Sequence, residues 1–144
     1  MTWEFQLYLL ILLMTVGLAL VVASVAWRRR RLPGAAALAL TMLAVAVWAG
    51  FNMLEHTAVG FQNKLFFGKL EYLGIANVPP LWLVFALSYC GLNRFLTRRN
   101  LILLWIIPVI TILIALTNDL HSWMWHVTEN PLNPTGPLDY SQRG

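Results

Sequence analysis

Between Phe5 and Trp27 the chain carries no charged residue, and directly afterwards it carries four arginines in a row, Arg28 to Arg31. A helix rises about 1.5 Å per residue, and roughly 20 residues cross a hydrocarbon core, so this run is long enough to span a bilayer. A cleaved secretory signal places its basic residues before the apolar run rather than after it. This segment instead opens on Trp3 and Glu4, with no basic n-region. It reads as a retained transmembrane helix, and whatever follows has to fold around it.

Three further uncharged runs follow. The turn Pro33-Gly34 leads into Gly34 to Leu54, rich in alanine with Thr41 and Gly50, and closed by Glu55 and His56. Small residues at such spacing let helices approach without lipid between them. The third run lies within Lys64 to Leu92: Lys64, Lys69 and Glu71 stand at its start, it is uncharged from Tyr72, and Asn77 and Pro79-Pro80 sit in its middle. Leu101 to Thr117 is the fourth, at the short end of spanning length. The prediction is one all-α polytopic membrane domain over residues 1–144, with transmembrane helices at about 5–27, 34–54, 64–92 and 101–117. Only 11% of the chain is charged, against about 25% in soluble domains, which agrees with that class. Pro131, Pro134, Gly136 and Pro137 punctuate the tail 118–144, predicted to be irregular and extracytoplasmic. It ends on L-D-Y-S-Q-R-G without a helix stop, and the expectation is that the chain is the front part of a longer protein.

The basic residues set the orientation. Arg28 to Pro33 and Asn93 to Asn100 fall on one side and hold Arg28, Arg29, Arg30, Arg31, Arg94, Arg98 and Arg99, while the other side holds Lys64, Lys69 and Arg143, offset by acids. Lys and Arg favour cytoplasmic loops, so the arginine loops are placed in the cytoplasm and both the N-terminus and the tail outside. The net charge of +4 is thereby a topology signal, and no nucleic-acid partner is expected. Cys90 is the single cysteine, which excludes an intrachain disulfide and a multi-cysteine metal site. The sequence has no phosphate-cradling glycine loop and no nucleophile motif, so no catalytic residue is assigned.

Several polar residues are candidates for function. Pro79 and Pro80 donate no backbone hydrogen bond, so the carbonyls of Ile75 and Ala76 lose their helical partners, and Asn77 sits in the weakened turn. The functional reading is a kinked helix that lines a pocket or relays movement; the structural one is a kink packed against its neighbours. A Glu55–Lys69 or Glu71–Lys64 bridge would tie helices two and three together at their outer ends, with snorkelling into headgroups as the alternative. His56, His121 and His126 fall on the outer side near Glu55, Asp119 and Glu129, but without a ligand spacing, so no metal and no cofactor is assigned. Trp82, Trp105, Trp123 and Trp125 could wall an apolar or cationic ligand, or form an interfacial belt. The stretch N-D-L-H-S-W-M-W, with Trp125 at its end, is where a ligand arriving from outside would be met.

In order and spacing, these features resemble the N-terminal seven-helix sensor region of membrane histidine kinases. The pieces that carry the resemblance are W-A-G-F-N-M-L-E at Trp48 to Glu55 and K-L-E-Y-L-G at Lys69 to Gly74. They continue with P-P-L-W-L-V-F-A-L-S-Y at Pro79 to Tyr89 and T-N-D-L-H-S-W-M-W at Thr117 to Trp125. The resemblance covers about residues 5–126, the first four of seven helices. It implies a non-enzymatic membrane input domain in a prokaryotic inner membrane, multi-pass with its N-terminus outside. Its implied partners are the lipid bilayer, a small-molecule or lipid signal, a cytoplasmic kinase or cyclic-dinucleotide output domain in cis, and a second copy in a homodimer. It places Glu55, Lys69, Tyr72, Pro79, Trp82, Tyr89, Asn118 and His121 on characteristic positions. Helices five to seven and the output region are absent from these 144 residues. A small accessory subunit of a larger membrane complex is the alternative. A four-helix exporter needs an acid within its spans, and none lies inside the four uncharged runs; a haem-carrying electron-transfer protein is a weaker rival.

Overall fold

The computed structural model describes residues 3–121, 126–128 and 139–141. Helix α1 runs Trp3–Arg28, α2 Ala35–Thr57, α3 Phe61–Ile75, α4 Val78–Tyr89 and α5 Arg98–Leu116, with a single turn, α6, at Asn118–His121. Four spans are long and apolar enough to cross a membrane: Phe5–Arg28, Ala35–Thr57, Phe61–Tyr89, in which α3 and α4 run on from one another, and Arg98–Leu116. The fold is the expected all-α membrane bundle.

Some helices run further than the uncharged stretches. α2 takes in Glu55, His56 and Thr57, and α3 begins at Phe61, ahead of Lys64. Charge ends a hydrophobic run but not a helix, since Glu and Lys are good helix formers. Backbone geometry makes the stops instead. Ala58 turns extended (φ −64°, ψ 143°), and Gly34 (φ 78°) and Gly60 (φ 89°) adopt conformations that a Cβ disfavours. At the other end Thr97 caps α5, its hydroxyl accepting from the Asn100 amide at 3.3 Å.

What is inside and what is outside follows the solvent. Eight of the nine buried hydrophobic residues among those described are alanines, and only Leu81 is large. The large side chains point outward: Leu7, Ile11, Met14, Leu18, Val21 and Val25 form one exposed stripe along α1, and Ile102, Ile106, Ile107 and Leu113 stand exposed on α5. In water such stripes would be an aggregation hazard. In a bilayer, acyl chains are as apolar as leucine, so association comes from close packing of small residues. α2 is the centre of this packing, with α1 against it on one side and α3–α4 running antiparallel along the other.

The tightest contact is at Gly74. A Cβ built there would stand 2.6 Å from the Ala44 carbonyl oxygen and the Trp48 nitrogen, and 2.7 Å from the Trp48 Cβ. The α3 backbone therefore rests directly on α2. Further along, Phe85 of α4 packs over Gly34, where an added Cβ would lie 3.1 Å from the ring.

The tail departs from expectation in one respect. His126–Thr128 (β1) and Asp139–Ser141 (β2) pair antiparallel, Val127 opposite Tyr140. Val, Thr and Tyr favour strands, but three-residue segments are too short for a period-2 pattern to be read. The four punctuating residues lie outside the described residues.

Candidate functional site

At the end of the bundle away from the arginine loops, α2 and α3 bury four ionisable residues. Glu55 is 5% exposed, Lys64 3%, Lys69 9% and Glu71 7%. Ionisable groups at membrane depth are costly unless they are paired or hydrogen-bonded. Glu71 is the hub. Its Oε1 accepts a hydrogen bond from Asn52 Nδ2 at 3.0 Å. The Glu55 and Trp48 side chains also lie within its hydrogen-bonding reach. Asn52 Oδ1 in turn accepts from Tyr8 Oη of α1 at 2.6 Å. The Tyr8 ring meets His56 edge-on, centroids 4.9 Å apart. One chain of polar contacts thus joins three helices.

The local sequence explains the geometry. Trp48, Asn52 and Glu55 stand at i, i+4 and i+7, one face of α2. Glu71 and Gly74 are three apart on α3. Gly74 brings the backbones together one turn from Glu71, so the carboxyl reaches Asn52 and Trp48 without a longer side chain. The hydrogen bond described between α2 and α3 at this level is that of Asn52 to Glu71. Lys64 and Lys69 are buried in the same helical region and each engages a neighbour. The four uncharged runs hold no acid, but the helical spans are longer than those runs. Glu71 belongs to the Phe61–Tyr89 span and Glu55 to Ala35–Thr57, because these helices outrun the uncharged stretches.

A second polar feature lies at the α3–α4 joint. Ala76 and Asn77 keep right-handed backbone (φ −67° and −87°), but the Asn77 amide donates to Gly74 O, three residues back, instead of to Leu73 O. The Asn77 side chain makes good the loss, with Nδ2 donating to Leu73 O at 2.8 Å. Its Oδ1 accepts from Trp105 Nε1 of α5 at 3.0 Å. Asn77 therefore fastens a helix break and ties it to a neighbouring helix. Pro79 is exposed and Pro80 buried, both in the first turn of α4, where their missing N–H groups cost least within that helix.

The remaining sequence candidates are dispersed. Tyr72 is half-buried beside Glu71 and Glu55. Trp82 is 54% exposed and leans on Phe85, centroids 5.2 Å apart, so it faces outward. Asn118 is buried at the start of α6. His121 ends α6, with its side chain outside the described set, and Trp125 lies outside the described residues. Sequence reasoning missed Tyr8, Asn52 and Trp48 as site members. The i, i+4, i+7 spacing on α2 was the signal for two of them; nothing in the sequence pairs Tyr8 with Asn52, which is 44 residues away.

These features define a polytopic helical membrane domain with a charged network inside one end of its bundle. Over residues 11–141 the chain matches the family described as the N-terminal 7TM region of histidine kinase. It belongs to that family. The match takes in Asn52, Glu55, Glu71, Gly74 and Asn77 and begins three residues after Tyr8. Searches of curated proteins and of solved structures gave no significant match.

Proposed function

We propose that this domain receives a signal at its non-arginine end and passes it to a cytoplasmic output domain in the same protein. The observation that carries the reading is the polar chain Tyr8–Asn52–Glu71–Glu55, buried at its two glutamates, which links α1, α2 and α3 in a member of a sensor-region family. A polar network at membrane depth is costly unless it serves a purpose, and satisfied networks have few alternative arrangements. A ligand that favours one arrangement over another shifts the population of bundle packings, by no more than its differential affinity. In this reading the α3–α4 joint at Asn77, Pro79 and Pro80 carries the shift towards the arginine-flanked end.

The same reading makes the chain a single non-catalytic membrane domain. It places the domain in a prokaryotic inner membrane with the N-terminus and tail outside and the arginine loops in the cytoplasm. Homodimerisation belongs to it as well. Glu55, Lys69, Tyr72, Asn77, Trp82, Asn118, His121 and Trp125 are its ligand-contact or signalling residues, with the structural tie of Asn77 to Trp105 its most concrete element.

The test is autophosphorylation of the full-length protein in membranes, comparing wild type with Glu71→Gln and Asn52→Leu at matched membrane abundance. A shift of several-fold in basal activity is expected in at least one variant. Unchanged activity in both, with both proteins folded and inserted, would reject the network as the sensing element.

A further inference from the structure

Between α1 and α2 lies a cleft of about 180 Å³. Leu12 and Thr15 of α1 and Val45, Trp48 and Ala49 of α2 form its walls, the Thr15 hydroxyl being spent on Ile11 O at 2.8 Å, and Tyr8 and Asn52 stand at one end. No charged side chain lines it, so it is unsuited to an ionic headgroup. Its lining belongs to the Phe5–Arg28 and Ala35–Thr57 spans, which puts it at the depth of acyl chains rather than in water.

The polar end has specific unused capacity. Tyr8 Oη spends its hydrogen on Asn52 Oδ1 at 2.6 Å, and its oxygen retains lone pairs. Asn52 Nδ2 spends one hydrogen on Glu71 at 3.0 Å and retains the other. An acceptor and a donor therefore sit side by side at the end of an apolar slot. A hydroxyl group complements both, because it donates to one and accepts from the other. A hydrocarbon tail would fill the walls and leave the second Asn52 amide hydrogen and the Tyr8 lone pairs unused, which is less favourable in this medium. At about 180 Å³ the slot has room for a small ring or a short branched chain and not for a long acyl chain.

We propose that this cleft binds a neutral, membrane-partitioning hydroxyl compound about the size of benzyl alcohol, which enters sideways from the acyl-chain region. Its hydroxyl sits against Tyr8 and Asn52, one hydrogen bond from Glu71. Occupancy of the cleft stands or falls separately from the sensing role of the network, because it is measured without reading any output.

The experiment is photolabelling of the full-length protein in lipid nanodiscs with a diazirine-bearing benzyl alcohol, alongside a diazirine-bearing toluene that lacks the hydroxyl. Labelled sites are mapped by peptide mass spectrometry. The alcohol is expected to label α1 and α2 around Leu12 and Val45, to be displaced by excess benzyl alcohol, and to exceed the toluene analogue there roughly three- to tenfold, the effect of one net hydrogen bond. Val45→Phe fills the slot from the α2 side and should reduce this labelling at least fivefold. Leu12→Phe does so from the α1 side and serves if the first variant fails to insert. Equal labelling by both probes would show an acyl-chain groove only and overturn the proposal. So would labelling that neither substitution reduces, or that is spread evenly over the exposed face of α5.

Discussion

Replacing Gly74 by alanine tests whether direct backbone contact holds α3 to α2. The added Cβ would lie 2.6 Å from two α2 backbone atoms and 2.7 Å from the Trp48 Cβ, none of which can swing aside. Relief to an ordinary contact near 3.5 Å requires the two helices to part by about 1 Å; overpacking of this kind costs about 1–3 kcal/mol. The same movement stretches the Asn52–Glu71 hydrogen bond, now 3.0 Å, past bonding distance, at about 0.5–1.5 kcal/mol. Against this stands the better helix propensity of alanine, about 1 kcal/mol. The net expectation is a loss of about 1–3 kcal/mol. Gly17→Ala and Gly50→Ala are built-in controls, since a Cβ at either position meets nothing within 4 Å. These should be neutral or slightly stabilising. The assay is reversible unfolding of the purified protein in mixed micelles, followed by circular dichroism. If Gly74→Ala is as stable as the two controls, the backbone contact is not what holds the helices together.

Three further outcomes follow from particular contacts. Asn77→Leu removes both the Leu73 carbonyl's substitute donor and the Trp105 acceptor, so it should cost about 1–3 kcal/mol, while Trp105→Phe costs about 1; a double-mutant cycle in the same unfolding assay should show the two losses to be non-additive. Thr97→Ala removes the α5 cap and should lower stability by about 1 kcal/mol, with Thr97→Ser restoring it. Cys90 is exposed at the end of α4 beside the second arginine loop, so in intact cells a membrane-impermeant maleimide should leave it unmodified until the membrane is permeabilised; labelling of intact cells would invert the topology.

Spans and turns were legible because they depend on local composition. Pro33-Gly34 reads as a turn and Gly34 adopts φ 78°, and Pro79-Pro80 reads as a break and α3 gives way to α4 there. Legibility failed where a decision depends on two helices at once. Asn77 looked like a polar residue stranded in a weakened turn, yet its amide completes the turn itself and its oxygen meets Trp105, 28 positions away. Glu71 looked like a boundary acid because the uncharged run starts after it. It is buried because Gly74, a turn further on, draws α2 near enough for Asn52 and Trp48 to supply hydrogen bonds. Burial of a charge is a property of its neighbours, and a single sequence does not show which neighbours those are.

The spacing along α3 ties these features into one mechanical element. Glu71, Gly74 and Asn77 follow at intervals of three, so successive contacts advance steadily around the helix rather than repeating on one face. The first reaches the side chains of α2 and, through Asn52, Tyr8 of α1; the second rests on the α2 backbone; the third turns to Trp105 on α5. Because Gly74 leaves no room between the two backbones, the proposed sensing reading has a displacement of Glu71 act as a rotation or tilt of α3 about that contact. The end of α3 leads to Asn77, where the backbone ladder is interrupted and the Asn77 side chain couples the joint to Leu73 O and to Trp105 of α5. In the proposed sensing reading, a change among the polar contacts at one end of the bundle passes through this joint to α5 and along α4 to the arginine-bearing loop.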